Sequence, residues 1–223
     1  MISGLLLKML LFSKNKNRFN FGAKLSPFFP LSLTKGGGQG VGLSIMKKLS
    51  MTQLNRISAE DFKISGKMPV IIVLDDVRSA YNVGSIFRTA DAFRVSGIYI
   101  CGISARPPHK DISKTALGAT ESVEWKYFQD VHEAVKLLKE ESYKIYAIEQ
   151  VDESISLEQF QPEKGSKLAL IFGHEVFGVK EDLLPLVDGC LEIPQFGTKH
   201  SFNVAISAGI VLWELSGKLK IKN

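Results

Sequence analysis

Three short polar segments carry the residue types that do chemistry. The first is DDVRSAYNVGSIFRTADAF, which holds Asn82, Gly84 and Arg88. The second is IFGHEVFGVKEDL, in which Gly173 and Gly178 bracket His174 and Glu175. The third is IPQFGTKHSFN, with Gly197, His200, Ser201 and Asn203. In the first, Asn82 reads as a helix N-cap and Gly84 as a point of close backbone approach. Arg88 then lies within an apolar helix, reaching solvent or pairing with Asp75 or Asp76. The second has the outline of a phosphate loop but not the spacing of a P-loop or a dinucleotide fingerprint. Its acid disfavours phosphate. A nearly neutral pocket for an adenosine and a carboxylate suits it better, and a turn in which Glu175 caps the following helix is the plainer alternative. In the third, Gly197 permits a tight turn and Ser201 reads as the cap, with Asn203 in the first turn. One cap needs one polar side chain, so the second is surplus and faces a crevice with the helix's unpaired N–H groups.

Each segment follows a hydrophobic run. VIIVLDDV (70–77) has the continuous apolar character of a buried parallel strand. Further strands are expected at 97–103, 143–150, 167–173 and 189–196. Helical stripes run over 82–93, 131–141 and 179–187, and from about Ser201 to Leu215. The alternation predicts an α/β fold with a mostly parallel sheet flanked by helices. Ligands of such sheets bind at the carboxyl ends of the strands, where the three polar segments fall.

Taken together and in this order, the segments resemble the SpoU (TrmH-type) RNA ribose 2′-O-methyltransferases of the SPOUT class. N-x-G-x-x-x-R-T-A matches Asn82, Gly84, Arg88, Thr89 and Ala90. G-x-E-x-x-G matches Gly173, Glu175 and Gly178, and I-P-x-x-G-x-x-x-S-L-N-V matches Ile193, Pro194, Gly197, Ser201, Asn203 and Val204. Phe202 replaces the usual Leu, and Ala205–Ser207 (AIS) replaces a more usual SVA. The likeness runs from about Met68 to Leu215 and takes in the middle segment 113–125.

The resemblance implies a C-terminal trefoil knot, S-adenosylmethionine as cofactor and a homodimer packed through the last helix; on composition, no metal site is expected. Gly173, Ile193, Gly197, Ser201 and Phe202 would hold the cofactor. Arg88 would be the catalytic arginine. A guanidinium stays protonated, so its expected role is to clamp a developing oxyanion or a neighbouring phosphate. Asn82 would fix Arg88 or the ribose, Glu175 would orient Arg88 or the substrate, and Ser201 and Asn203 would shape the pocket and seat the hydroxyl. His174 and His200 occupy variable motif positions, and a required proton transfer is not expected of either. The substrate class is RNA, with tRNA preferred to rRNA. A SpoU-like protein that binds RNA without turnover is the alternative. A Rossmann-type enzyme would need a glycine fingerprint that DDVRSAYNVGS lacks.

Composition sets the frame. The 223 residues, 45% of them hydrophobic, suffice for one full-sized core. Cys101 and Cys190 lie in apolar runs and read as small buried hydrophobes. The net charge of +5 is unevenly spread. No acid precedes Glu60, whereas nine basic residues do, leaving 19 basic against 23 acidic residues beyond, a net of −4. Isoelectric point alone therefore says little about nucleic-acid binding. Residues 1–45 read as a poorly structured basic extension, 46–68 as a short lead with a small helical element, and 69–220 as the methyltransferase domain. The extension lacks the small-residue cleavage site of a secretory signal and has the acid-free, basic, Ser-containing character of a transit peptide. A start at Met46 is the preferred reading, which makes the protein cytoplasmic, with organellar targeting the alternative.

Overall fold

The computed structural model describes residues 47–50, 52–54 and 56–219. The extension 1–45 lies outside them. The elements below belong to the unit Leu49–Asn223.

After a 3-10 turn at Thr52–Leu54, α1 (Ala59–Ile64) is capped by Ser58, whose side chain accepts the Asp61 N–H. There follow β1 (Met68–Asp75), α2 (Ala80–Ala92), β2 (Val95–Cys101), α3 (Lys110–Ala116), α4 (Ala119–Ser122), β3 (Trp125–Phe128) and α5 (Val131–Glu140). Then come β4 (Tyr143–Ile148), β5 (Ile155–Ser156), β6 (Lys167–Phe172), β7 (Gly189–Glu192) and α6 (Val204–Lys218). The seven strands form one sheet in the order β3-β2-β1-β6-β4-β7-β5, and every pairing is parallel.

A parallel sheet of this kind is buried on both faces, and β1 shows how the sequence achieves it. Alternate residues point to opposite sides. Met68, Val70, Ile72 and Leu74 pack with Phe87 of α2 and Leu212 of α6. Ile71 and Val73 pack with Val131, Ala134 and Leu138 of α5. Cys101 and Cys190 are free thiols buried in the second of these cores.

Several expectations are corrected here. The helix expected from Asn82 begins at Ala80, because Ser79 is its cap and accepts the Asn82 N–H at 3.3 Å. The last helix begins at Val204, not Ser201. Asn203 is its cap, accepting the N–H groups of Ala205 at 2.9 Å and Ile206 at 3.4 Å. The expected helix over 179–187 is a 3-10 segment, Glu181–Leu186, around Pro185. Strands β3 and β5 and helices α3 and α4 were not expected. β3 and β5 are edge strands of four and two residues, too short to show a period.

Gly84 is needed for helix packing. A Cβ there would lie 2.1 Å from Thr115 Oγ1 and 2.4 Å from the Ile112 carbonyl oxygen. What its backbone approaches is α3, not a ligand.

Candidate active site

The carboxyl ends of β4, β6 and β7 open into a cavity of about 480 Å³, within the range that holds small ligands. Its wall includes Gly173, Glu175, Ile193, His200, Ser201 and Phe202. Apolar surface comes from Val151, Phe177, Leu184 and Leu191, and negative charge from Glu149, Glu181 and Glu192.

The loop after β6 is a tight antiparallel bridge between His174 and Gly178. Gly173 sits against its far end, where a Cβ would come within 2.1 Å of the Gly178 carbonyl oxygen. Gly178 turns the loop with a φ of +70°. His174 Nδ1 accepts the Val176 N–H at 3.0 Å, so this nitrogen is occupied by the turn. Glu149 Oε2 accepts the Val179 N–H at 2.9 Å and anchors the loop to the end of β4.

Glu175 does not cap the helix that follows it. It braces the entry to α2, accepting the N–H groups of the cap residue Ser79 at 3.1 Å and of Arg78 before it at 3.3 Å. It also accepts from Asn82 Nδ2 at 3.3 Å. Asn82 Oδ1 in turn accepts from Asn203 Nδ2 at 3.0 Å. Asn203 Oδ1 is committed to the first N–H groups of α6. The relay Glu175–Asn82–Asn203 thus has one direction. An oxygen of Asn203 facing backbone donors leaves its nitrogen for Asn82, which must offer its own nitrogen to the carboxylate. One residue from each of the three polar segments takes part, and the relay ties the starts of α2 and α6 to the loop after β6.

Burial works to raise the Glu175 carboxyl. The N–H donors of its own backbone, Ser79 and Arg78, with the Asn82 amide, outweigh it and hold the group below the ordinary glutamate value. A carboxylate so held is an orienting group and a poor base.

A second charged cluster lies alongside. Lys180 Nζ is 2.9 Å from Asp75 Oδ1 and 2.8 Å from Asp76 Oδ2, linking the loop after β6 to the end of β1. Burial pushes the Asp75 carboxyl up, against the hydrogen bond from Lys180. For Lys180 burial is the opposing influence, and the two carboxylates hold the ammonium above its ordinary value. Sequence reading missed this cluster, as it missed Ser79 and Glu149. The paired acids at the end of β1 were visible, but not their partner, 105 residues away.

Not every expected residue joins the site. Arg88 is exposed on α2, neither on the cavity wall nor in the relay. It lies six residues beyond Asn82, about 9 Å along the axis and on another face, the one that carries Tyr81 and Ser85. Asp75 and Asp76 are taken by Lys180, and Arg88 has no ion pair among the described residues. Gly197 is also off the cavity wall, with no atom of the described residues within 4 Å of where a Cβ would stand. Ser201, released from capping, stands on the wall.

The model of the SpoU rRNA Methylase family matches residues 69–213, well over half of the chain. The chain belongs to the SpoU rRNA methylase family. Among its SpoU relatives, the tRNA (guanosine(18)-2′-O)-methyltransferase of Thermus thermophilus is 28% identical over 163 residues, 73% of this chain and 82% of that protein. The 23S rRNA (guanosine-2′-O-)-methyltransferase of Vibrio parahaemolyticus is 28% identical over 73% of this chain, which spans only 64% of that protein's length. Of solved structures, an AdoMet-bound rRNA methyltransferase from Sinorhizobium meliloti superposes with a TM-score of 0.63 at 25% identity, over 74% of this chain and 62% of that one. The A. aeolicus TrmH/SpoU tRNA modifying enzyme superposes with a TM-score of 0.63 at 22% identity, over 72% of this chain and 80% of that one, and shares the fold.

Proposed function

We propose that this SpoU protein transfers a methyl group from S-adenosylmethionine to a ribose 2′-hydroxyl of RNA, with tRNA the preferred substrate and rRNA the second choice. The observation that carries the reading is the relay Glu175–Asn82–Asn203, set beside a ligand-sized cavity at the carboxyl ends of β4, β6 and β7. The preference for tRNA rests on the 82% of the Thermus tRNA enzyme's length that the chain matches.

The cavity suits the donor. It joins apolar surface for an adenine to acids that complement a cationic sulfur and amine. Gly173, Ile193 and Phe202 offer backbone and Ser201 its hydroxyl. When bound, S-adenosylmethionine supplies an electrophilic methyl group on a sulfonium sulfur. The amides of Asn82 and Asn203 each have two N–H bonds and commit one within the relay, so each keeps one for a substrate oxygen. Arg88 offsets negative charge on the attacking oxygen or a phosphate beside it.

Arg88 faces away from its own relay, so we assign it to the cavity of a second copy in a homodimer. The outer face of α6 supports that assembly. Ile206 and Trp213 are 56% and 71% exposed, opposite the buried Ala208, Leu212 and Leu215. The trefoil knot of the family belongs to the same proposal, supported by the convergence of loops 173–178 and 193–203 on one cavity. We place the protein in the cytoplasm; no helix among the described residues is long and apolar enough to cross a membrane.

Mapping ribose methylation in tRNA and rRNA with and without the protein tests the reading. A cofactor-dependent 2′-O-methyl mark supports it. Tight RNA binding with no mark on any RNA favours a binding module instead.

A further inference from the structure

The mildly acidic body conceals a local reversal of charge. Between Arg78 and Lys114 there are six basic residues and two acids, in a body with a net charge of −4. Two of these residues touch the segments that carry the relay, Arg78 through Glu175 and Lys114 through Tyr81. Arg78 lies at the end of β1, its backbone bonded to Glu175 and its side chain exposed. The loop from β2 to α3 is pinned next to it. Buried Ser104 accepts the Val77 N–H at 2.8 Å and donates to the Leu74 carbonyl at 3.0 Å, and Asp76 accepts the Ile103 N–H at 2.9 Å.

This fixed loop presents cations to solvent. The Arg106 guanidinium stacks 3.8 Å above the Tyr127 ring, and the Tyr127 hydroxyl donates to the Gly102 carbonyl at 3.1 Å, which fixes the ring. A guanidinium stacked on an aromatic face keeps its N–H edge available for a bidentate acceptor. His109 caps α3 and places Lys110 and Lys114 on one side of it. Lys114 ties α3 back to the first turn of α2, 3.4 Å from the Tyr81 hydroxyl. The acids nearby are matched, Asp111 by Lys114 and Asp76 by Lys180.

We infer that Arg78, Arg106 and Lys110 form a track for the phosphodiester backbone of the RNA, leading from the β2–α3 loop to the relay, with Tyr127 as the platform that aims Arg106. The inference rests on the proposed function. Exposed cations at the carboxyl end of β1 and on the loop pinned beside it, one of them braced on an aromatic ring, suit a polyanion. Such contacts set register and carry no sequence information.

The test uses the full chain and a tRNA transcript, with affinity read by fluorescence anisotropy across a salt series. Calorimetry of S-adenosylmethionine binding runs in parallel. The Arg106→Gln, Lys110→Gln double variant is expected to bind the transcript at least about tenfold more weakly. The slope of log affinity against log salt should be shallower by about 1 for each phosphate that is no longer neutralised. Cofactor affinity should not change. Lys164→Gln, just before β6 at the amino ends of the strands, is the control and should match the unaltered chain. Unchanged affinity and slope in the double variant, with RNA bound normally by the unaltered chain, overturn the track alone. Failure of the unaltered chain to bind this transcript and, in the same assay, an rRNA transcript overturns both the track and the proposed function.

Discussion

Asn203 donates through Nδ2 to Asn82 Oδ1 at 3.0 Å, across 121 residues of sequence. This bond couples the cap of the last helix to the first turn of α2, so the helix starts that flank the site cannot move independently without breaking it. Asn203→Ala removes the bond and the cap together. It should lower stability by about 1 kcal/mol, seen as a Tm lower by about 2–4 °C. Methyl transfer should fall much further than stability, because Asn82 loses the partner that orients its amide. Asn203→Asp keeps the cap but cannot donate to Asn82. It should recover most of the Tm and little of the rate, and thermal melts with single-turnover assays would separate the two effects.

Glu175 gives a pH prediction. Its folded pKa lies below the ordinary value, so the unfolded chain takes up its proton first as pH falls. Its stabilising effect is therefore fully present above the unfolded value of about 4.3 and is lost as pH falls through the folded value. The Tm gap between the unaltered chain and Glu175→Gln should be constant from about pH 8 to about pH 5 and should narrow below about pH 4. A gap that widens on acidification would mean the carboxylate is not held by the donors at the start of α2.

Two of the motif glycines make a steric prediction. In an open helix, Gly→Ala would gain up to about 1 kcal/mol. At Gly84 the new methyl would meet Thr115 and the Ile112 carbonyl, and at Gly173 it would meet the Gly178 backbone. Both substitutions should destabilise, by about 1–3 kcal/mol or more for overpacking of this kind. Thr115→Ser should not rescue Gly84→Ala, since the backbone clash remains. Gly197→Ala meets nothing among the described residues and should melt like the unaltered chain.

His200 stands on the cavity wall with no hydrogen bond among the described residues, and His174 has Nδ1 engaged in its own turn. Neither is assigned the proton. The pH–rate profile of His200→Ala should keep its low-pH limb. Disappearance of that limb would make His200 the base.

Much of this arrangement was legible in the sequence. The continuous apolar run of β1 and the stripe of α6 mark the core, and the polar segments after β1, β6 and β7 mark the sheet edge that holds the site. Which residue caps which helix was not legible. Ser79 and Asn82 are both good caps, as are Ser201 and Asn203, and the choice depends on where each chain enters its helix. Glu175 at the start of α2 and Lys180 at the end of β1 are tertiary pairings between segments about 100 residues apart, and no local pattern encodes them. Arg88 is the converse case: its motif marks it as catalytic, yet the fold of one chain sets it apart from the relay.

The most direct test is transfer of labelled methyl groups from S-adenosylmethionine to tRNA and rRNA transcripts by the unaltered chain and by Arg88→Ala. Label should enter RNA as an alkali-resistant 2′-O-methyl nucleotide. The rate should fall on the order of 10²–10³-fold in the variant, as when one oxyanion donor is removed. Label on a base, or no transfer by a chain that binds both cofactor and RNA, would contradict the account.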